Sequence, residues 1–388
     1  MRSRLTWWLV APAVLAWCTA VSAAQVRVEA YGVSKDGMPV KAYTLVNDSG
    51  ASATILDYGA AIAAIRVPDR NGVRGNVVMS FANLGMWETL GYAALIGRYA
   101  NRIENGFTID GVKYNPPADQ RGVTMHGGAV GYAKRVWTAQ RIRPRDGATL
   151  TLTLDSPDGE MGFPGHMKVA VKYTFTKDNA LREEITATTD KPTVVNLTNH
   201  VHFNLSGNST VPVLDHLFEV MTDQVASATV GTLAESVIGT PLDFTRPARL
   251  GDRLAIGLGP QFDNATTAPP IPAGMTRSMN VPYLLHAGDN RLDRVAARLT
   301  DPATGRILEL RTTEVSVHTF TPASQATGML SDAGKPFTRV PAIAIETQHL
   351  PNSPNRPEFP STILRPGKTF RSTTIFSFST DAKRVTPP

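Results

Sequence analysis

Two histidines spaced two residues apart, and one glutamate far downstream, are the side chains of this chain best suited to proton transfer. The histidines lie in Thr193-Val-Val-Asn-Leu-Thr-Asn-His-Val-His-Phe-Asn-Leu-Ser-Gly207. Read as a strand, this segment puts Val195, Leu197, Val201 and Phe203 on one face and Asn196, Thr198, His200, His202 and Asn204 on the other. The first face belongs in a core. The second suits a polar ligand or a solvated sheet face equally well. The glutamate lies in Ile343-Ala-Ile-Glu-Thr-Gln-His-Leu-Pro-Asn-Ser-Pro-Asn355, where Glu346 stands opposite Ile343 and Ile345. It is either a carboxylate at a strand end aimed into a cleft or an exposed strand glutamate. Two more clusters carry suitable groups. In Gly97-Arg-Tyr-Ala-Asn-Arg-Ile-Glu-Asn-Gly106, Asn101 and Arg102 can grip hydroxyl or carbonyl oxygens, or belong to a turn with surface charges. In Met125-His-Gly-Gly128 the glycines allow a ligand close to the backbone beside His126. A metal reading joins His126, His200, His202 and Glu346 as three imidazoles and a carboxylate, provided that their geometry converges.

Strands must position these groups. Leu150, Leu152 and Leu154 alternate with polar residues, as do Val169, Val171, Tyr173 and Phe175, and Phe370, Ser372, Thr374, Phe376 and Phe378. Turn signals punctuate them at Arg70-Asn71-Gly72, Ile109-Asp110-Gly111, Pro157-Asp158-Gly159 and Arg365-Pro366-Gly367. Helical periodicity is confined to a short stretch, Leu84 to Leu90. Many short strands with regular turns predict an all-β fold, a large sandwich of antiparallel sheets. The segment Gly257 to Asn280, with Pro269, Pro270 and Pro272, reads as a long loop.

The first 24 residues form a separate unit. Arg2 and Arg4 precede an apolar run from Trp7 to Trp17, closed by Ser22, Ala23 and Ala24, which is the pattern of a secretory signal. The run is too short to suggest a membrane span. Export to the periplasm or the medium is expected, with cleavage after Ala23 or Ala24 and no stable membrane association afterwards. Residues 25–380 then form one domain, and 381–388 a frayed tail. Cys18, the only cysteine, leaves with the signal, so the mature chain has no disulfide, thiolate metal site or cysteine nucleophile. The formal charge of +6 falls to +4 when Arg2 and Arg4 leave. The basic residues are scattered, and no basic-aromatic pattern points to nucleic acid.

Taken together, these segments resemble the aldose 1-epimerase (galactose mutarotase) family. The matching residues are Gly97-Arg98, Ala100-Asn101-Arg102-Ile103, His126-Gly127-Gly128, Met161-Gly-Phe-Pro-Gly165, Val195-Asn-Leu-Thr-Asn-His200, Phe203-Asn-Leu205 and Glu346-Thr-Gln-His349. They continue through Pro354-Asn355, Phe359-Pro-Ser-Thr362 and Leu364-Arg-Pro-Gly367 to Arg371-Ser-Thr-Thr374, in family order over most of the mature chain. The resemblance implies a large antiparallel β-sandwich of that family's type, with a sugar cleft on one sheet. It implies a free aldose as the substrate and no metal or organic cofactor. Glu346 then corresponds to the base that takes the anomeric hydroxyl proton, and His200 to the acid that protonates the ring oxygen. His126 and Arg102, with Asn101 beside it, correspond to sugar-contacting residues. Opening a hemiacetal needs one proton removed and one supplied, and a carboxylate and an imidazolium on opposite sides of the sugar can do both. A nearby Arg102 is expected to keep Glu346 ionised, and an ordinary histidine acid suits neutral pH.

The rim departs from the family pattern. Asn280 falls where the family has an Asp, with Asp263 as a possible substitute, and His318 where it has a Gln. His202 falls where it has a Tyr. The resemblance therefore bears more on the reaction than on the sugar. Two other classes stay open at this level: a carbohydrate-binding protein on the same scaffold, and a carbohydrate-active lyase or hydrolase. A glycosidase normally needs paired carboxylates, and only one good candidate is present.

Overall fold

Period-two alternation should give extended segments with one buried face, and it does so along most of the chain. The computed structural model describes residues 24–91, 93–140, 147–226, 233–256, 279–286, 288–322 and 328–384. An N-terminal meander runs through Gln25–Val33, Pro39–Val46, Ser52–Leu56, Ile62–Pro68 and Arg74–Asn76, each strand pairing with the next. A nine-stranded antiparallel sheet is centred on Ala148–Ser156, Met167–Phe175, Ala180–Thr189, Phe370–Thr380 and Arg306–Thr312, in that spatial order. A six-stranded antiparallel sheet has the order His202–Phe203, Ile343–Gln348, Ser316–Phe320, Asn280–Leu284, Gln224–Ala226 and Leu233–Ser236.

One hydrophobic cluster joins all three sheets. It takes Leu45, Ile55 and Ile65 from the meander, and Leu150, Val171, Leu310 and Phe376 from the nine-stranded sheet. The six-stranded sheet gives Phe203, Val281, Val317, Ile343 and Ile345. This is the sandwich that the alternation predicts, since each strand gives every second side chain to a shared interior. On the outer face of the nine-stranded sheet, cross-strand charges pair instead, as in Lys172–Glu184 at 3.0 Å and Arg298–Glu219 at 2.7 Å.

The turn signals do what their residues allow. Asp110 and Gly111 both take positive φ and link Phe107–Ile109 to Val112–Tyr114 in a two-residue hairpin. Arg365 O accepts from Lys368 N across Pro366-Gly367, with Gly367 at φ +79°. Leu84–Leu90 is helical, capped by the Asn83 side chain and ended by left-handed Gly91. Leu250–Ile256 forms a second short helix that the sequence did not signal. Positions 257–278 of the expected loop, including Asp263, lie outside the described residues, and so does most of the leader. Asn280 already belongs to a strand. The start of the expected frayed tail is tied down: Asp381 pairs with Arg70 at 2.7 Å, and its N–H donates to Gly305 O.

Candidate active site

The pairing register of the six-stranded sheet places the candidate residues. His202 pairs with Ala344, His318 with Glu346, Phe320 with Ala344, and Asn280 with Phe320. Continuing the first pairing by two residues puts His200 opposite Glu346. On the face away from the core this makes two rows across the strands, His200–Glu346–His318 and His202–Ala344–Phe320–Asn280. Neighbours in a row are one strand spacing apart, about 4.8 Å. Small Ala344 leaves room between larger neighbours in the second row.

His200 and Glu346 meet at 3.6 Å, Nε2 to Oε1, and only 7% of His200 and 2% of Glu346 remain exposed. The His200 and His202 rings stack with centroids 4.9 Å apart and planes within 9°. Phe320 meets both edge-on, and His126 approaches His200 at 5.5 Å between centroids. Lone pairs lie in the ring planes, so two parallel rings at this spacing cannot both point at one ion. Among the described residues no group of three or more His, Cys, Asp or Glu is arranged to hold a metal, and the three-imidazole reading lacks the convergence it requires.

Two turns bring in the remaining residues. Arg102–Glu104 pairs with Val123–Met125, which sets Asn101 beside His126. Both take left-handed backbone conformations, with φ 62° and 51°. His126 N donates to Asn101 O at 2.8 Å, and Asn101 N donates to His126 Nδ1 at 3.2 Å. The His126 ring therefore carries its proton on Nε2 when neutral. Arg102 Nη1 donates to Asn101 Oδ1 at 2.8 Å. Asn101 Nδ2 lies 3.3 Å from His318 Nδ1, and His318 Nε2 lies 2.7 Å from Asn280 Oδ1. A guanidinium can only donate, so it sets the polarity of this whole relay. Asn101 turns its amide nitrogen to His318, His318 is protonated on Nε2, and that N–H donates to the Asn280 oxygen.

Burial controls the electrostatics and reverses one expectation. It pushes the Glu346 carboxyl up to about 8, although the Arg102 charge pulls the other way. It pulls His200 down to about 4. His126, His202 and His318 fall well below the ordinary histidine value, again through burial first, with neighbouring positive groups adding to it. Near neutral pH burial therefore keeps Glu346 protonated and His200 neutral. Arg102 is too weak a counter-charge to keep the carboxylate ionised. The pair also lies on one floor of the site: a 3.6 Å gap leaves no place for a sugar ring between acid and base.

Several motif residues prove to be scaffolding. Arg98 shares the Gly97–Gly106 segment whose charges suggest a surface turn, yet it is 2% exposed. Its guanidinium donates to the carbonyls of Ser156, Pro157, Phe163, Pro164 and Gly165, which explains the Met161-Gly-Phe-Pro-Gly165 match. A Cβ on Gly127 would lie 2.3 Å from Gly97 O, so this glycine serves close backbone packing and not ligand approach. The Asn355 amide clamps the carbonyls of Glu104 and Gly106 at 2.9 and 2.8 Å. Invisible in the sequence was the buried row beyond Glu346, containing Gln348 and Thr198.

Comparison with known proteins agrees with this architecture. Residues 41–377 match the family model described as aldose 1-epimerase. Galactose mutarotase of Rattus norvegicus is 32% identical over 357 residues, covering 88% of this chain and 95% of the rat protein. Aldose 1-epimerase of Escherichia coli K12 is 32% identical over 360 residues, covering 90% and 98%. Among solved structures, an aldose epimerase homologue from C. elegans superposes with a TM-score of 0.74 at 24% identity, covering 92% of this chain and 99% of that one. A galactose 1-epimerase from Lactobacillus acidophilus gives 0.73 at 22% identity, with the same coverage. With the match spanning both the site rows and the sandwich that carries them, the chain belongs to the aldose 1-epimerase family.

Proposed function

We propose that Glu346 and His200 interconvert the α and β anomers of a free aldose, Glu346 exchanging the proton of the anomeric hydroxyl and His200 that of the ring oxygen. The observation that carries this reading is the buried His200–Glu346 pair, 3.6 Å apart on one sheet face. The two hemiacetal oxygens share one carbon, so a base and an acid a few ångströms apart on one floor can address both at once. When the anomeric hydroxyl donates to Glu346 it favours the carboxylate. When the ring oxygen accepts from His200 it favours the imidazolium. The proton that burial holds on Glu346 thereby passes to the side where ring opening needs it. The open aldehyde rotates about its C1–C2 bond and recloses, with the same two groups acting in reverse. Asn101, Arg102, His126, His202, His318 and Asn280 form the sugar-binding surround. Glucose or galactose is the default substrate, and the altered positions 280, 318 and 202 set its preference.

Glu346→Gln and His200→Asn should each reduce anomer interconversion at least about 100-fold, the usual scale for a general acid or base, while circular dichroism stays unchanged. Polarimetry on freshly dissolved α-glucose, α-galactose and a wider aldose panel measures this. If parent and variants show only the spontaneous rate with every sugar, a binding role replaces the catalytic one.

The basic-apolar-small pattern of the first 24 residues supports export, with cleavage after Ala23 or Ala24. N-terminal sequencing of protein recovered from the periplasm or medium tests it; an intact Met1 in that material would show that the leader is retained.

A further inference from the structure

Beyond Glu346, the same sheet face carries a third row. Gln348 pairs with Ser316. Continuing the register that aligns His200 with Glu346 brings Thr198 to the other side of Gln348. The Asn196 side chain confirms this closeness, since its Oδ1 accepts from His349 N at 3.0 Å. Thr198, Gln348 and Ser316 are all buried to within 1%. Ser316 is satisfied: its hydroxyl donates to Gln348 O at 2.6 Å. The other groups are not. Oε1 and Nε2 of Gln348, Oγ1 of Thr198 and Oε2 of Glu346 are enclosed and hydrogen-bond to no protein group.

These four atoms sit on three adjacent side chains, and buried polar groups in folded proteins are almost always paired with protein or ordered water. Their chemistry is complementary: a carboxylate acceptor, an amide with both donor and acceptor, and a hydroxyl that can be either. Residues two apart on one strand face lie about 6.6 Å apart at the backbone, and because these side chains make no direct bond to one another, one bridging molecule between them would serve all three. A buried water needs two to four such partners, and this row supplies them.

We propose that Gln348 and Thr198 hold an internal water that donates to Glu346 Oε2, making them positioning residues for the base. The arrangement divides the labour of the carboxylate: Oε2 is fixed from behind, and Oε1 is left facing His200 and the sugar. It also supplies a donor to the carboxylate where the only other counterweight to burial is Arg102. The titratable or charged groups facing Glu346 are His200 from one neighbouring strand, His318 from the other, and Arg102 and His126 from the turns. None of these occupies the Oε2 side through a hydrogen bond.

This proposal builds on the assignment of Glu346 as base, and its test is chosen so that the two can fail separately. Gln348→Met keeps side-chain length without polar atoms; Thr198→Val keeps shape without the hydroxyl; Thr198→Ser keeps the hydroxyl. The Glu346 carboxyl is followed by ¹³C NMR with labelled glutamate, its signal identified by its loss in Glu346→Gln. This reading needs no turnover. Gln348→Met and Thr198→Val should each move the Glu346 titration upward by about one pH unit, and Thr198→Ser should leave it in place. In polarimetry the same two variants should lose about tenfold in plateau kcat/KM while the alkaline limb moves up with the carboxyl. An unmoved titration in both variants, or a Thr198→Ser shift as large as that of Thr198→Val, overturns the proposal. A loss of melting temperature with no shift in titration likewise assigns the row a purely structural role.

Discussion

The pH profile of anomer interconversion gives the sharpest check on the site, because burial inverts the protonation that ordinary side chains would have. From about pH 4 to about pH 8 the His200–Glu346 pair holds a single proton, and that proton rests on Glu346. Ring opening requires the other arrangement, imidazolium beside carboxylate. The two arrangements contain the same number of protons, so their ratio does not change with pH, and the apparent values belong to the pair. Activity should therefore form a plateau across that window. Below about 4, His200 gains a second proton while Glu346 keeps its own, and no base remains. Above about 8, the shared proton leaves and no acid remains; the internal water sets this midpoint at or slightly below that value. Unperturbed groups would give a much narrower bell, between about 4.3 and about 6.5. The two cases separate at pH 7.5, where an ordinary histidine acid would retain about a tenth of its activity and the buried pair most of it. The assay is polarimetric kcat/KM from pH 3.5 to 9.5 with the spontaneous rate subtracted, and circular dichroism at each end to show that the fold persists. A tenfold loss by pH 7.5, with a midpoint near 6.5, would refute the inverted assignment.

The same burial and hydrogen bonds set three further expectations. Glu346 has an ordinary value of 4.5 and holds its proton to about 8 when folded, so the fold loses stability as pH rises through that interval. Glu346→Gln should therefore stabilise the protein by an amount that grows from pH 4.5 to 8 and reaches a few kcal/mol; urea unfolding at pH 5 and 8.5 measures it, and a difference independent of pH would contradict it. Asn280→Asp places a carboxylate on His318 Nε2, 2.7 Å away, and should reorder the aldose panel and raise the His318 titration; an unaltered ranking would remove Asn280 from the sugar surround. Arg98→Ala removes a charged donor from five carbonyls, of which Phe163 O and Pro157 O keep backbone donors from Gly159 and Glu160, and should cost about 3 kcal/mol in urea unfolding; a loss below about 1 kcal/mol would show that the 156–165 turn holds itself.

How much of this was legible in the sequence differs between the floor of the site and its surround. Period-two alternation was enough to put Thr198, His200 and His202 on one face and Val201 and Phe203 on the other, because strand geometry is local. Glu346 could be placed on a strand face for the same reason. What alternation cannot give is register, and register is what makes His200, Glu346 and His318 neighbours. The resemblance links all three, and the metal reading, which the stacked rings exclude, links His200 to Glu346 without His318. Arg98 was misread because a charged residue beside glycines looks like a surface turn; its burial depends on five carbonyls from a turn about 60 residues later. Gly127 was misread for a similar reason, since its neighbour is the Gly97 backbone and not a ligand. The protonation of the pair was predicted the wrong way round. The presence of Arg102 was visible, but the depth of burial that outweighs it depends on the packed structure.

With the proposed roles of Glu346 and His200, that depth would make the pair reactive only with a sugar bound. Burial alone favours the neutral pair, because separated charges are poorly solvated in a low-dielectric surround. A sugar changes the comparison by supplying the two hydrogen bonds that the charged arrangement lacks, a donor to Glu346 Oε1 and an acceptor for His200 Nε2. Exposing the pair to water would ionise Glu346 without any sugar, but water would then compete for both groups and weaken their hold on the hemiacetal oxygens. His202 stacks on His200, Phe320 meets it edge-on and the His318 relay borders the pair, and none of them adds an anion beside the carboxylate. The internal water behind Oε2 differs in kind, since it is fixed by Gln348 and Thr198 and cannot reach the sugar side. The catalytic difference between the two faces of one carboxylate is therefore a matter of which oxygen the sheet leaves open, and Gln348→Met, which disturbs only the closed one, separates positioning of the base from its chemistry.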